Sequence, residues 1–171
     1  MAELTPKERL QPSLLDRLTD EEPDQPQESR DKRVLSMSRL RECVLRDLAW
    51  LFNATRMTDD EEVGHYPFAA HSVVNFGLPA LAGATARSLD VSELERSLRQ
   101  AILDFEPRIL RHSLRVHAAL TEERMSHNAL TFEIEGDLWA QPLPLQLYLR
   151  TEIDLESGQV KVEESSRARG R

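Results

Sequence analysis

Between Ser36 and Asn53 the apolar residues Met37, Leu40, Val44, Leu48 and Leu51 recur every three or four positions, the spacing of one helix face. Leu45 and Phe52 widen that stripe, and Arg39, Arg41, Glu42, Arg46 and Asp47 are expected to face away. A second stripe, Val91, Leu94, Leu98, Ala101, Ile102 and Phe105, follows Asp90 and Glu93. That pair reads as a capping-box-like helix start, with Asp in place of the usual Ser or Thr. Pro107 limits this helix, because the residue before a proline is pushed out of the α region.

Beyond Pro107 the period changes from 3.6 to 2. Leu110, His112, Leu114, Val116 and Ala118 share one parity, with Arg111, Ser113, Arg115 and His117 on the other. Leu130, Phe132 and Ile134 alternate with Thr131, Glu133 and Glu135. Leu143, Leu145, Leu147, Leu149, Thr151, Ile153 and Leu155 then hold one parity. Glu156-Ser157-Gly158 reads as a turn, and Val160 and Val162 supply a last short strand. Helices followed by strands predict an α+β fold, with amphipathic helices on one face of a small, mainly antiparallel sheet. The run from 143 to 155 would extend roughly 43 Å, about twice a common strand. Part of it is therefore expected to project or bend. Pro142 and Pro144 suggest an edge position, since proline cannot donate to a ladder. An open edge can accept a strand from another chain.

Ahead of the helices, Pro12 and Ser13 suit a helix start, and Leu14, Leu15 and Leu18 form one apolar face. Thr19 to Arg33 carries nine charged residues, two prolines and no apolar side chain, too little to offset its ordering entropy. The expected organisation is a docking motif at 1–18, a flexible linker at 19–33, an α+β domain at 34–163 and a disordered tail at 164–171. The docking motif could sit on its own domain or on a partner.

Composition narrows the function classes. The formal net charge of −8 and the 5 % aromatic content disfavour nucleic acid and anionic membrane surfaces. Arg167, Arg169 and Arg171 are too few to reverse that. The single cysteine, Cys43, allows no internal disulfide or Cys-cluster metal site and reads as a small buried hydrophobe. The start, with Glu3, Lys7, Glu8 and Arg9, does not read as a signal peptide. The most apolar stretch, Val73 to Ala84, is too short to span a bilayer. These features point to a soluble cytoplasmic protein, with no cofactor and no metal.

No nucleophile elbow, phosphate loop, dinucleotide fingerprint or zinc-helix motif occurs. His112 and His117 fall on opposite faces of the expected strand, and His112, at a core-parity position, reads as a core histidine. The acidic cluster Asp59, Asp60, Glu61 and Glu62 lacks the spacing and glycine of a calcium loop. Glu106 is the candidate acid for the alternative reading, a lysozyme-like peptidoglycan glycosidase. Arg108 argues against that role: in an extended Glu106-Pro107-Arg108, residues 106 and 108 project to one side, and a guanidinium there favours the charged carboxylate. A general acid needs the reverse. The tripeptide does offer a rigid polar corner, in which Pro107 fixes φ and Arg108 presents a planar fork. An internal ion pair and a charged anchor for another subunit fit it equally well.

The motifs together resemble a known family. Ser13-Leu14-Leu15-Asp16-Arg17-Leu18, Asn75-Phe76-Gly77-Leu78-Pro79, Phe105-Glu106-Pro107-Arg108-Ile109, Phe132-Glu133-Ile134-Glu135-Gly136-Asp137-Leu138 and the run from Leu149 to Gly158 resemble, in order and spacing, the TssE family. These are type VI secretion baseplate subunits of the phage-tail wedge lineage labelled "lysozyme-like". The resemblance covers about residues 12 to 163. It implies a structural, non-enzymatic role in a contractile injection machine, with other baseplate wedge subunits and contractile sheath subunits as partners. It also implies help in starting sheath polymerisation by strand exchange. Glu106, Pro107 and Arg108 are implied to bind partners in wedge assembly. The leucines Leu14, Leu15 and Leu18 and the strand residues Leu145, Leu147, Leu149, Thr151 and Ile153 are further candidates for partner binding.

Overall fold

A computed structural model of the chain describes residues 13–19, 24, 36–57, 65–83, 89–119, 129–140 and 144–165. Its helices are α1 (Leu14–Leu18), α2 (Met37–Asn53), α3 (Pro67–Ala70) and α4 (Val91–Phe105), with a 3-10 turn at Val73–Asn75. The strands are β1 (Arg115–Ala118), β2 (Ala129–Leu138), β3 (Leu145–Asp154) and β4 (Val160–Glu164). They form one antiparallel sheet in the order β1-β2-β3-β4. The α+β expectation holds.

Both long helices start as the caps dictate. Ser36 Oγ accepts from the Arg39 amide in α2, and Asp90 Oδ1 accepts from the Ser92 and Glu93 amides in α4. The stripes Leu40, Val44, Leu48, Leu51 and Phe52, and Leu94, Leu98, Ala101 and Ile102, are buried against one sheet face. That face supplies Val116, Leu130, Phe132, Ile134, Leu147, Leu149 and Ile153. Cys43 is buried as well, as its type and position suggest.

Several expectations are corrected. The long strand is not an edge: β3 pairs with β2 over its whole length and with β4 from Leu149 to Ile153. The prolines precede the strand, which begins at Leu145, so their missing amides do not constrain its place in the ladder. Nor does the strand project, since it stops at Asp154 and Leu155 is fully buried in the turn. Leu147, Leu149, Thr151 and Ile153 are core residues and Leu145 packs partly against the core, not along an open edge. The period-2 reading after Pro107 also starts too early. Residues 107–114 form turns and a bridge, so parity does not carry through: His112 is exposed, whereas the off-parity Ile109 is buried. Residues 1–12, nearly all of the 19–33 linker, Asp59 to Glu62, Leu143 and 166–171 lie outside the described residues.

The Asn75-to-Pro79 motif holds the exit of α2. Leu78 N donates to Ala54 O at 2.9 Å, and Arg56 N donates to Leu78 O at 2.9 Å. Gly77 has φ +129°, and a Cβ there would lie 2.3 Å from Ala54 O. Only glycine fits this approach.

Candidate functional site

Helix α4 ends at the corner. Glu106 is its C-cap, with φ −120° and ψ 78°, out of the α region as a residue before proline must be. Pro107 is exposed, whereas Glu106 is 3 % exposed. Its carboxylate accepts three hydrogen bonds from one residue. Arg108 donates through its backbone amide at 3.1 Å and Nε at 2.7 Å to Oε1, and through Nη2 at 2.5 Å to Oε2. The side-chain contacts are the bidentate fork that planar guanidinium geometry allows.

The next residue braces the corner on β2. Trp139 N donates to Arg108 O at 2.7 Å, Leu110 N donates to Asp137 O at 2.9 Å, and Ile109 bridges Leu138. A Cβ on Gly136 would meet Ile109 Cγ2 at 3.0 Å, so the glycine of the 132–138 motif makes room for the corner. Two of the motifs quoted above are thus one structure.

The guanidinium also reaches α2: Arg108 Nη2 donates to Asp47 Oδ2 at 2.5 Å. The other oxygen of Asp47, Oδ1, accepts from Arg46 Nε at 2.9 Å. Arg46 stacks over the Trp50 ring, 5.1 Å from its centroid, a cation–π arrangement. Its Nη2 lies 2.8 Å from Asp16 Oδ1 in α1. Those two atoms attract by charge without hydrogen-bond alignment. Asp16 meanwhile completes a capping box, accepting from Ser13 N at 3.2 Å and Ser13 Oγ at 2.6 Å through Oδ2. An alternating chain therefore runs Glu106, Arg108, Asp47, Arg46, Asp16, joining α4, α2 and α1.

Electrostatics follow from these contacts. Burial alone would lower the Arg108 pKa, but the hydrogen bonds and charge of Glu106, then those of Asp47, raise it. Burial pushes the Asp16 carboxyl up, and Ser13, Arg46 and the Cys43 thiol more than offset it, holding it at about 2. Burial, then the neighbouring Asp16, pushes the Cys43 thiol up, so the thiol is not a nucleophile at neutral pH.

The sequence motif containing Leu14, Leu15 and Leu18 docks on its own chain, but by its polar side. The Asp16 side chain is 7 % exposed, whereas Leu14 and Leu18 are 71 % and 74 % exposed and Leu15 is 43 %. Docking presents the leucines outward. Sequence reasoning missed Asp47 and Arg46 as members of the site because they stand on the polar flank of α2, and 61 residues separate Asp47 from Arg108. The only local signal was their position beside the apolar stripe.

A separate cleft of about 410 Å³ lies between α4 and the segment at 70–79, lined by Arg56, His71, Asn75, Arg96, Arg99 and Asp104 among others. Glu106 does not line it; its carboxylate is spent on Arg108. Among the described residues no group of His, Cys, Asp and Glu could hold a metal ion, and no helix is long and apolar enough to cross a membrane.

A buried ion-pair corner braced on a sheet, beneath two amphipathic helices, places the chain in the α+β class. The chain belongs to the baseplate wedge protein gp25 family, whose model matches residues 38–143. This is the family of TssE, as the short motifs implied. The matched span contains Arg46, Asp47, Glu106, Pro107 and Arg108 and ends before β3. No curated protein and no solved structure matches the chain.

Proposed function

We propose that the chain is a structural wedge subunit in the baseplate of a cytoplasmic type VI secretion machine. It binds other wedge subunits and helps start polymerisation of the contractile sheath, without enzymatic activity. The observation that carries this is the pairing of Glu106 with Arg108 inside a family of baseplate wedge proteins. A glycosidase acid must be able to give up a proton to a sugar in a cleft; Glu106 is 3 % exposed and bound to a guanidinium. The wedge contacts we assign to exposed Pro107, the outer part of Arg108 and the outward leucines Leu14, Leu15 and Leu18.

The test is made in cells deleted for the chain and carrying a fluorescent sheath subunit. Sheath foci are expected to vanish on deletion and to return with the wild-type chain. In parallel, purified chain is expected to leave a cell-wall suspension turbid. Normal sheaths in the deletion strain would refute the structural role. Clearing of cell wall that Glu106→Gln abolishes would establish the glycosidase instead.

A further inference from the structure

The segment at 66–76 forms a small knob fixed by its own hydrogen bonds. Ala69 N and Ala70 N donate to Tyr66 O at 2.9 and 3.1 Å, Asn75 N donates to Ser72 O at 2.9 Å, and Asn75 Nδ2 donates to Ala70 O at 3.2 Å. Two contacts clip the knob to α4. The Phe76 and Phe105 rings meet edge to face, 5.2 Å between centroids, and His71 Nδ1 lies 2.8 Å from Asp104 Oδ2. The knob nevertheless turns apolar side chains to solvent: Phe68 is 95 % exposed, and Tyr66, Val73 and Val74 are exposed as well. Exposed apolar side chains gathered on one hydrogen-bonded segment mark a contact surface.

The cleft of about 410 Å³ lies between this knob and α4, within the size range of ligand sites. Ala70, Gly77 and Ala101 are part of its lining, and their lack of bulk leaves the space open. Its arginines, Arg56, Arg96 and Arg99, outnumber its carboxylates, Glu93 and Asp104. Asp104 is already engaged: Oδ2 faces His71, and Oδ1 accepts from Gln100 Nε2 at 2.9 Å. Glu93 stands apart in the first turn of α4. Glu95 does not line the cleft; its Oε1 accepts from Ala118 N of β1 at 2.6 Å. Arg96 donates through Nε to Ser92 O at 3.2 Å, which leaves its two terminal nitrogens for an acceptor. Arg99 pairs with no carboxylate among the described residues. A cationic cleft on a chain of net charge −8 is complementary to an acidic ligand, and guanidinium forks suit carboxylates.

We propose that this cleft receives an acidic segment of another protein, with carboxylates on Arg96 and Arg99 and an apolar side chain against the shoulder of Phe68 and Val73. A free phosphate would meet the arginines and leave the shoulder bare. A nucleic acid would meet, beyond the cleft, the repulsion of the chain's net charge. The site is separate from the corner at Glu106 and does not depend on the wedge reading.

The test is an NMR titration of isotope-labelled full-length chain with the peptide Gly-Glu-Leu-Glu-Gly, blocked at both ends. Amides at 70–77 and 96–104 are expected to shift saturably, with a Kd of about 1 mM. The counterpart Gly-Gln-Leu-Gln-Gly, and Arg96→Gln combined with Arg99→Gln, are each expected to weaken binding about tenfold, the worth of one hydrogen bond to a charged group. Gly-Glu-Gly-Glu-Gly and Phe68→Ser are each expected to weaken it about threefold, through lost apolar contact. Phe68, Arg96 and Arg99 are exposed, so the variants keep the wild-type fold, and Lys161→Gln on β4 leaves binding unchanged. No saturable shift with Gly-Glu-Leu-Glu-Gly, equal affinity for its Gln counterpart, or unchanged affinity in the arginine double variant would each overturn the proposal. Inorganic phosphate binding as tightly as the peptide, with the same amides shifting, would overturn it in favour of a simple anion site.

Discussion

Replacing Arg108 with alanine leaves the Glu106 carboxylate, 3 % exposed, without its guanidinium. Removing one member of a buried pair costs about 3–5 kcal/mol, because the other charge stays behind unpaired. The lower end applies here. The Arg108 and Asp47 side chains keep 21 % and 25 % exposure, so water can reach the far side of the chain, and the backbone amide of residue 108 still serves Oε1. About 3 kcal/mol is expected, which for a chain of this size is a fall in melting temperature of roughly 6–12 °C. Glu106→Leu combined with Arg108→Leu removes both charges at once, and is expected to cost about 1 kcal/mol, since Asp47 retains Arg46 and nothing buried is orphaned. Urea unfolding with an unchanged slope measures both. The reasoning is refuted if Arg108→Ala lies within about 0.5 kcal/mol of wild type, or if the double variant is as unstable as the single.

Three further outcomes follow from the same geometry. Arg46→Ala is expected to release α1 while the core stays folded, so amides 15–18 lose hydrogen-exchange protection with a stability change of about 1 kcal/mol or less, as for partly exposed pairs. Asp16, held at about 2 against the usual 3.8, is lowered on folding; its contribution, about 1 kcal/mol after discounting for screening, is full above pH 3.8 and lost as pH falls towards 2. NMR shifts of α1 should show that step, and Asp16→Asn should abolish it. Gly77→Ala should cost about 1–3 kcal/mol in backbone strain alone, with the clash at Ala54 O added; a melting temperature equal to wild type would contradict the left-handed geometry.

The two long helices were legible because stripe and cap agree at Ser36 and Asp90, and the burial of Leu48, Leu98 and Ile102 follows from the 3.6 period. Strand identity was legible from parity, but strand order was not. Alternation says which face a side chain takes and nothing about which neighbour a backbone meets, so β3 looked like an edge when it lies between β2 and β4. Leu147, Leu149, Thr151 and Ile153 then moved from candidate surface to core. At the corner, the Glu106 to Arg108 pairing was readable from the extended tripeptide. Its continuation through Asp47 and Arg46 to Asp16 was not, because no spacing links those residues; only the packing of α2 between α1 and α4 does. The same limit hid Asn53 and Glu95, polar residues on helices whose partners are backbone atoms of distant strands.

One consequence is that the apolar motif and the charged corner are a single unit: Leu14 and Leu18 point outward because Asp16 is held inward. Exposure of 71 % and 74 % means that Leu14→Asp with Leu18→Asp should leave stability within about 0.5 kcal/mol. Recovery of wedge subunits on tagged full-length chain is the most direct measurement. Wild type is expected to bring down the wedge subunits in stable proportion, and the Leu14→Asp, Leu18→Asp chain to lose them at an unchanged melting temperature. A wild-type chain that purifies free of them, or a double variant that retains them fully, would contradict the account.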